Sequence, residues 1–155
     1  MRYDFYTFDQ LDTRTLYAIL SHRFEVFVLG QRCIYHDYDD FDMTGIHLTA
    51  RDDSGNLVGY CRLIPAEQHY EGYAEHSFGR LSVKESARKA GAGGELVRQA
   101  CRYLTALGDC RSVRISAMAY LEKFYQELGF QRVSNVFDKE SVPHVTMLYT
   151  APDAR

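Results

Sequence analysis

Between residues 13 and 28, apolar side chains recur at three- and four-residue intervals: Leu16, Ile19, Leu20, Phe24, Phe27 and Val28. That spacing predicts one amphipathic helix, with Thr13 as its N-cap and Gly30 as its stop. The polar, aromatic stretch QRCIYHDYDDFDMTG predicts a loop. IHLTARD and LVGYCRLI, separated by DSGN, then read as a β-hairpin. In HSFGRLSV, Phe78 is apolar at an even position whereas Leu81 and Val83 are apolar at odd ones. The two-residue alternation slips around Gly79 and Arg80, and a β-bulge produces such a slip.

From residue 93 to 107 the apolar positions Leu96, Val97, Ala100, Cys101, Leu104 and Leu107 oppose Glu95, Arg98, Gln99 and Arg102, a second amphipathic helix. SVRISAM alternates as a strand, YLEKFYQEL predicts a short helix with Gly129 at its C-cap, and FQRVSNVF and HVTMLYT predict two closing strands around the turn DKESVP. The order is β, α, β, β, β, α, β, α, β, β. Its strand–helix–strand unit between Phe78 and Met118 is expected to be parallel and right-handed. The fold class is α/β, one domain over residues 1–155 with a mixed central sheet.

Three of the chain's 11 glycines, Gly91, Gly93 and Gly94, stand at the mouth of the second helix. First-turn amides of a helix lack intrahelical acceptors and carry the positive end of its dipole, and glycine lets an anion approach them closely. This pattern points to a phosphate cradle. A P-loop needs Gly-Lys-Ser/Thr, where this chain has Gly-Glu-Leu. The dinucleotide fingerprint places its third glycine where Leu96 faces the core.

What remains, Arg88-Lys89-Ala90-Gly91-Ala92-Gly93 followed by Leu96, resembles the Q/R-x-x-G-x-G/A signature of the GCN5-related N-acetyltransferase (GNAT) superfamily. LYAILSHRFEVFVLGQRCIYHDYD and VPHVTM are similar to segments of its ElaA-like branch, and LEKFYQELGF to the superfamily's later helix. The chain departs from that pattern at Lys89, where a glycine is usual, at Gly30, where Glu is frequent, and at Tyr120, where His is frequent. The resemblance implies a bulged strand splayed from its parallel neighbour, with helices on both faces of the sheet. It implies acetyl-CoA as cosubstrate, its pantetheine arm pairing with the backbone of Leu81, Ser82 and Val83. It places the pyrophosphate on Arg88, Lys89, Ala90, Gly91, Ala92, Gly93 and Gly94.

Acetyl transfer to an amine needs a neutral amine, a place for the oxyanion and a proton for the departing thiolate. The resemblance implies Tyr125 as proton donor, and a phenol with an ordinary pKa of about 10 is protonated at neutral pH. His144 is the candidate base, ahead of His47, Glu75 and His76. Arg23 and Arg80 are expected to pair with carboxylates or with a substrate acid. Asp37, Asp39, Asp40 and Asp42 lack the glycine and terminal glutamate of a calcium loop; they read either as a solvated acidic loop or as an attractor for a cationic amine. The function implied is N-acetylation of a primary amine of a small molecule, peptide or protein. The alternatives are an acyl-homoserine-lactone-synthase-like acyltransferase and a non-catalytic CoA-binding protein.

Composition narrows the setting. A chain of 155 residues buries roughly 70% of its unfolded surface. A net charge of −3 argues against nucleic acid as the main ligand. No apolar run approaches the ~20 residues of a membrane span, and the acidic, aromatic start is unlike a signal peptide, so a cytoplasmic location is expected. Cys33, Cys61, Cys101 and Cys110 have no metal-ligand spacing and no metal is expected; Cys33 alone is placed for thiol chemistry. A homodimer is compatible with this reading.

Overall fold

The computed structural model describes residues 1–32 and 34–153, so Cys33 lies outside the described residues. Two compact units are built, one from Met1–Ile64 with Gly79–Ala100, the other from Pro65–Phe78 with the chain from Cys101 onward.

In the first unit, strands β1 (Arg2–Thr7), β2 (Ile46–Arg51), β3 (Leu57–Ile64) and β4 (Ser77–Val83, from Gly79 on) form a sheet in the order β1-β2-β3-β4. The hairpin expected at residues 46–64 is antiparallel, with Ile46 opposite Leu63. Every residue of β3 is buried, because helices cover both faces. Helix α1 (Thr13–Arg23) lays Ile19 on Tyr60 and Leu57. On the other face, Leu96 of helix α4 (Ala92–Thr105) fills the space left by Gly59.

The apolar stripe of residues 13–28 is not one α-helix. Asp12, not Thr13, caps α1, its carboxylate accepting from the Thr15 amide at 2.6 Å. After Arg23 the chain widens into a π-helix, Phe24–Leu29, closed by the Gly30 amide on the Glu25 carbonyl at 2.9 Å. Gly30 stops it as expected, and for a steric reason: a Cβ there would lie 2.7 Å from the Val26 carbonyl oxygen. A short helix α2 (Phe41–Thr44) interrupts the expected loop.

In the second unit, β5 (Ser112–Met118) pairs antiparallel with β8 (Val142–Thr150) over its whole length. Helix α5 (Glu122–Glu127) ends as expected at Gly129, where φ is +94°. The strand expected at residues 130–137 is broken into β6 (Gln131–Arg132) and β7 (Phe137–Lys139), both on β8. Ser134 causes the break: its hydroxyl donates to the Asn135 carbonyl and accepts from the Thr146 amide, and its carbonyl accepts from Arg132 Nε. The turn is tighter than expected, with Glu140 and Ser141 both at positive φ between β7 and β8. Within this unit His76 forms a parallel bridge with Val113.

Candidate active site

The first unit holds one cluster of the expected residues. The strand alternation slips where the sequence does: φ of Arg80 is +55° in the interior of β4. Beyond it Leu81 is half-buried and Ser82 and Val83 are buried. A short helix α3 (Glu85–Arg88) leads into the glycine loop. Gly91 turns the chain at φ +74°, and nothing lies within 4 Å of where its Cβ would stand. The Glu95 amide bonds to the Gly91 carbonyl at 3.1 Å as the first bond of α4. The amides of Ala92, Gly93 and Gly94 therefore precede the helical ladder, where a helix presents unsatisfied donors and positive potential. Arg88 Nε donates to the Val83 carbonyl at 3.1 Å, tying the loop to the end of β4. Lys89 and Ala90 are exposed beside it. An open glycine turn, the first-turn amides of α4 and two cations fit a pyrophosphate.

The same unit holds a charge lattice whose members lie far apart in the sequence. Arg23 and Arg62 are fully buried. Arg23 donates to Asp37 through Nε at 2.8 Å and to Asp42 through Nη1 at 2.6 Å; Arg62 donates to Asp39 at 2.6 Å and to Asp42 at 2.9 Å. Arg80 completes the set, 3.1 Å from Asp37 and 3.6 Å from Asp39. Burial alone pushes the Asp42 carboxyl up, but hydrogen bonds and charge from Arg23 and Arg62 outweigh it and hold it below the ordinary carboxylate value. Three guanidinium groups thus neutralise three carboxylates. Asp37, Asp39 and Asp42 are therefore spent on Arg23, Arg62 and Arg80 rather than standing as free surface charges. Asp40 alone of the four is left exposed, without an ion pair among the described residues.

Two of the weaker base candidates are structural. His47 Nε2 donates to the Asp42 carbonyl at 2.7 Å, and its Nδ1 accepts from the Tyr60 hydroxyl at 2.7 Å. His76 accepts from the Ala66 amide at 2.9 Å and donates to the Cys110 carbonyl at 3.1 Å. Both rings have no nitrogen left for a substrate, and burial lowers the pKa of each. Glu75 is held by Arg114 in a two-pronged pair at 2.7 and 3.0 Å.

Tyr125 and His144 belong to the second unit. Tyr125 is buried, with the rings of Phe124, Phe130 and Phe78 at 5.0, 5.6 and 6.4 Å. His144 is half-buried, stacked on Phe137, and its Nδ1 donates to the Val142 carbonyl at 2.7 Å. In the neutral ring that tautomer leaves Nε2 as a proton acceptor.

Arg62 is the participant that sequence reasoning missed. A charged residue inside the apolar run LVGYCRLI was the available signal.

Residues 24–151 match the acetyltransferase (GNAT) domain family. Protein ElaA of Escherichia coli is 33% identical over 141 residues, spanning 89% of each chain, and its crystal structure superposes with a TM-score of 0.84 over 96% of this chain and 98% of that one. UPF0039 protein sll0451 of Synechocystis is 33% identical over 146 residues, 94% of this chain and 92% of that protein. The crystal structure of an acyl-CoA N-acyltransferase from Pseudomonas aeruginosa gives a TM-score of 0.86 at 33% identity, over 97% and 100% of the two chains.

Proposed function

Because the chain belongs to the acetyltransferase (GNAT) family and is an acyltransferase, we propose that it transfers an acetyl group from acetyl-CoA to a primary amine of a small molecule, peptide or protein. The observation that carries this reading is the turn from β4 into α4. An anion with two phosphate groups matches the first-turn amides of Ala92, Gly93 and Gly94, with Gly91 open beside them and Arg88 and Lys89 as counter-charges. The backbone of Leu81, Ser82 and Val83 gives the pantetheine arm an edge for amide hydrogen bonds. Acetyl-CoA supplies the activated thioester. Tyr125 supplies the proton that the leaving sulfur takes up, and His144 Nε2 accepts the proton that the amine gives up.

Gly93→Val tests the cradle. The added side chain blocks approach to the α4 amides, so calorimetry with acetyl-CoA should show binding weakened at least about tenfold in a variant whose melting temperature is nearly unchanged. Equal affinity in the folded variant refutes the assignment of the loop. An acceptor screen that follows free thiol release from acetyl-CoA identifies the amine, and its failure with every amine alongside intact binding refutes the transferase half of the reading.

A further inference from the structure

The strained residue in β4 is the wrong one of a pair. Gly79 would adopt a left-handed backbone without cost, yet Arg80 beside it holds φ at +55°, a region that residues with a Cβ avoid. Such strain persists only where the surroundings over-determine it, and here they do so from two sides.

On the side-chain side, Arg80 Nε and Nη2 both donate to the Asp37 carbonyl, at 3.0 and 2.9 Å, and the guanidinium lies over the Tyr35 ring at 5.8 Å. The same Asp37 carbonyl accepts from Arg23 Nη2 at 2.7 Å. Arg23 is anchored on Asp42, which Arg62 also holds, and both arginines are fully buried. On the main-chain side, the Arg80 carbonyl accepts from the Ser82 hydroxyl at 3.3 Å, and Ser82 is in turn 2.9 Å from His22 Nε2. Arg80 is therefore gripped by a rigid lattice at its guanidinium and by a buried serine at its carbonyl.

We propose that Arg80 is a positioning residue. The lattice of Arg23, Arg62, Asp37, Asp39 and Asp42 holds Arg80 in the left-handed region, and this sets the bulge that aims the backbone of Leu81, Ser82 and Val83. The consequence for acetyl-CoA binding rests on the function proposed above; the conformation of residue 80 does not.

Two substitutions separate backbone from side chain. Arg80→Ala and Arg80→Gly both remove the guanidinium, but only glycine accepts the left-handed conformation without strain. In Arg80→Ala the bulge relaxes: the amide NMR shifts of Leu81, Ser82 and Val83 move, and acetyl-CoA affinity falls about tenfold. In Arg80→Gly those shifts stay near wild type and affinity stays within about threefold. Asp37→Asn keeps the main-chain carbonyl and an oxygen for Arg23 Nε but removes the carboxylate charge 3.1 Å from Arg80 Nε, so it should weaken binding in the wild-type background and have no further effect in Arg80→Gly. Equal losses in Arg80→Ala and Arg80→Gly overturn the proposal, as do wild-type shifts in both, or an Asp37→Asn effect that is the same in the two backgrounds. If the wild-type protein fails to bind acetyl-CoA, the proposed function falls, and the amide shifts alone still decide this inference.

Discussion

His22 Nε2 lies 2.9 Å from Ser82 Oγ, joining α1 to β4 through two buried side chains. The serine has one proton, and it goes to the Arg80 carbonyl. Nε2 therefore carries the hydrogen that reaches Ser82 Oγ, and the ring is neutral, with no hydrogen-bond partner for Nδ1 among the described residues. Burial lowers the pKa of His22 from its ordinary 6.5, with a smaller push in the same direction from Lys84.

That pairing makes stability fall in mild acid. His22, His47 and His76 all have lowered pKa values, so the unfolded chain takes up protons near pH 6.5 that the folded chain refuses. A state that binds more protons is favoured as pH drops, at about 1.4 kcal/mol per pH unit for each proton. The unfolding free energy is expected to be constant from pH 8 to 7 and to decline from about pH 6.5 downward. His22→Gln should make the decline shallower. An equally steep decline in that variant would assign the effect to the other two rings.

Breaking the arginine–aspartate lattice should cost more than any surface change. Asp42→Ala leaves Arg23 and Arg62, both fully buried, one carboxylate short. Removal of one partner from a buried ion pair costs about 3 to 5 kcal/mol, because the remaining charge cannot be solvated. Asp53, whose side chain is 97% exposed against the N-terminus, is the control. Urea unfolding should separate the two variants widely, with Asp53→Ala close to wild type.

What was legible in the sequence was what repeats locally. The hairpin of β2 and β3, the helix α4 and the cap at Gly129 follow from alternation, helical spacing and glycine placement, and each lies within a few residues of where the pattern puts it. The slip at Gly79 and Arg80 was legible too, because two apolar residues in phase with each other are out of phase with Phe78. The π-helix was not. A stripe at three- and four-residue intervals suits α and π turns alike over six residues, and the spacing does not tell them apart. The lattice was hidden for a different reason: Arg62 meets Asp39 from 23 positions away and Arg80 meets Asp37 from 43, and no local pattern carries that distance.

Gly59 links core packing to the glycine loop that opens α4. A Cβ at this position would stand 2.9 Å from Leu96 Cδ1 and 3.2 Å from Ala50 Cβ. Leu96 is fully buried and has little room to withdraw. Gly59→Ala should therefore destabilise the fold by about 1 to 3 kcal/mol and displace α4, which carries the glycine loop at its start. Shortening the opposing side chain with Leu96→Val should restore part of both losses. Independent, additive effects in the double variant would show that the two residues do not compete for the same space.

The ring of Tyr125 is buried among Phe78, Phe124 and Phe130. Tyr125→Phe keeps that aromatic packing and removes only the hydroxyl. If the hydroxyl gives its proton to the departing sulfur, its contribution belongs to the transition state. Loss of a general acid typically costs ~10² to 10⁴-fold, so kcat should fall at least tenfold while acetyl-CoA affinity changes little. A hydroxyl that serves the fold gives a different pattern: the unfolding free energy drops by about 1 kcal/mol or more, and kcat falls only as far as folded protein is lost. Measuring kcat, acetyl-CoA affinity and unfolding free energy on one preparation of the variant separates the two. Wild-type turnover in Tyr125→Phe would remove Tyr125 from the chemistry and leave the thiolate to be protonated by water.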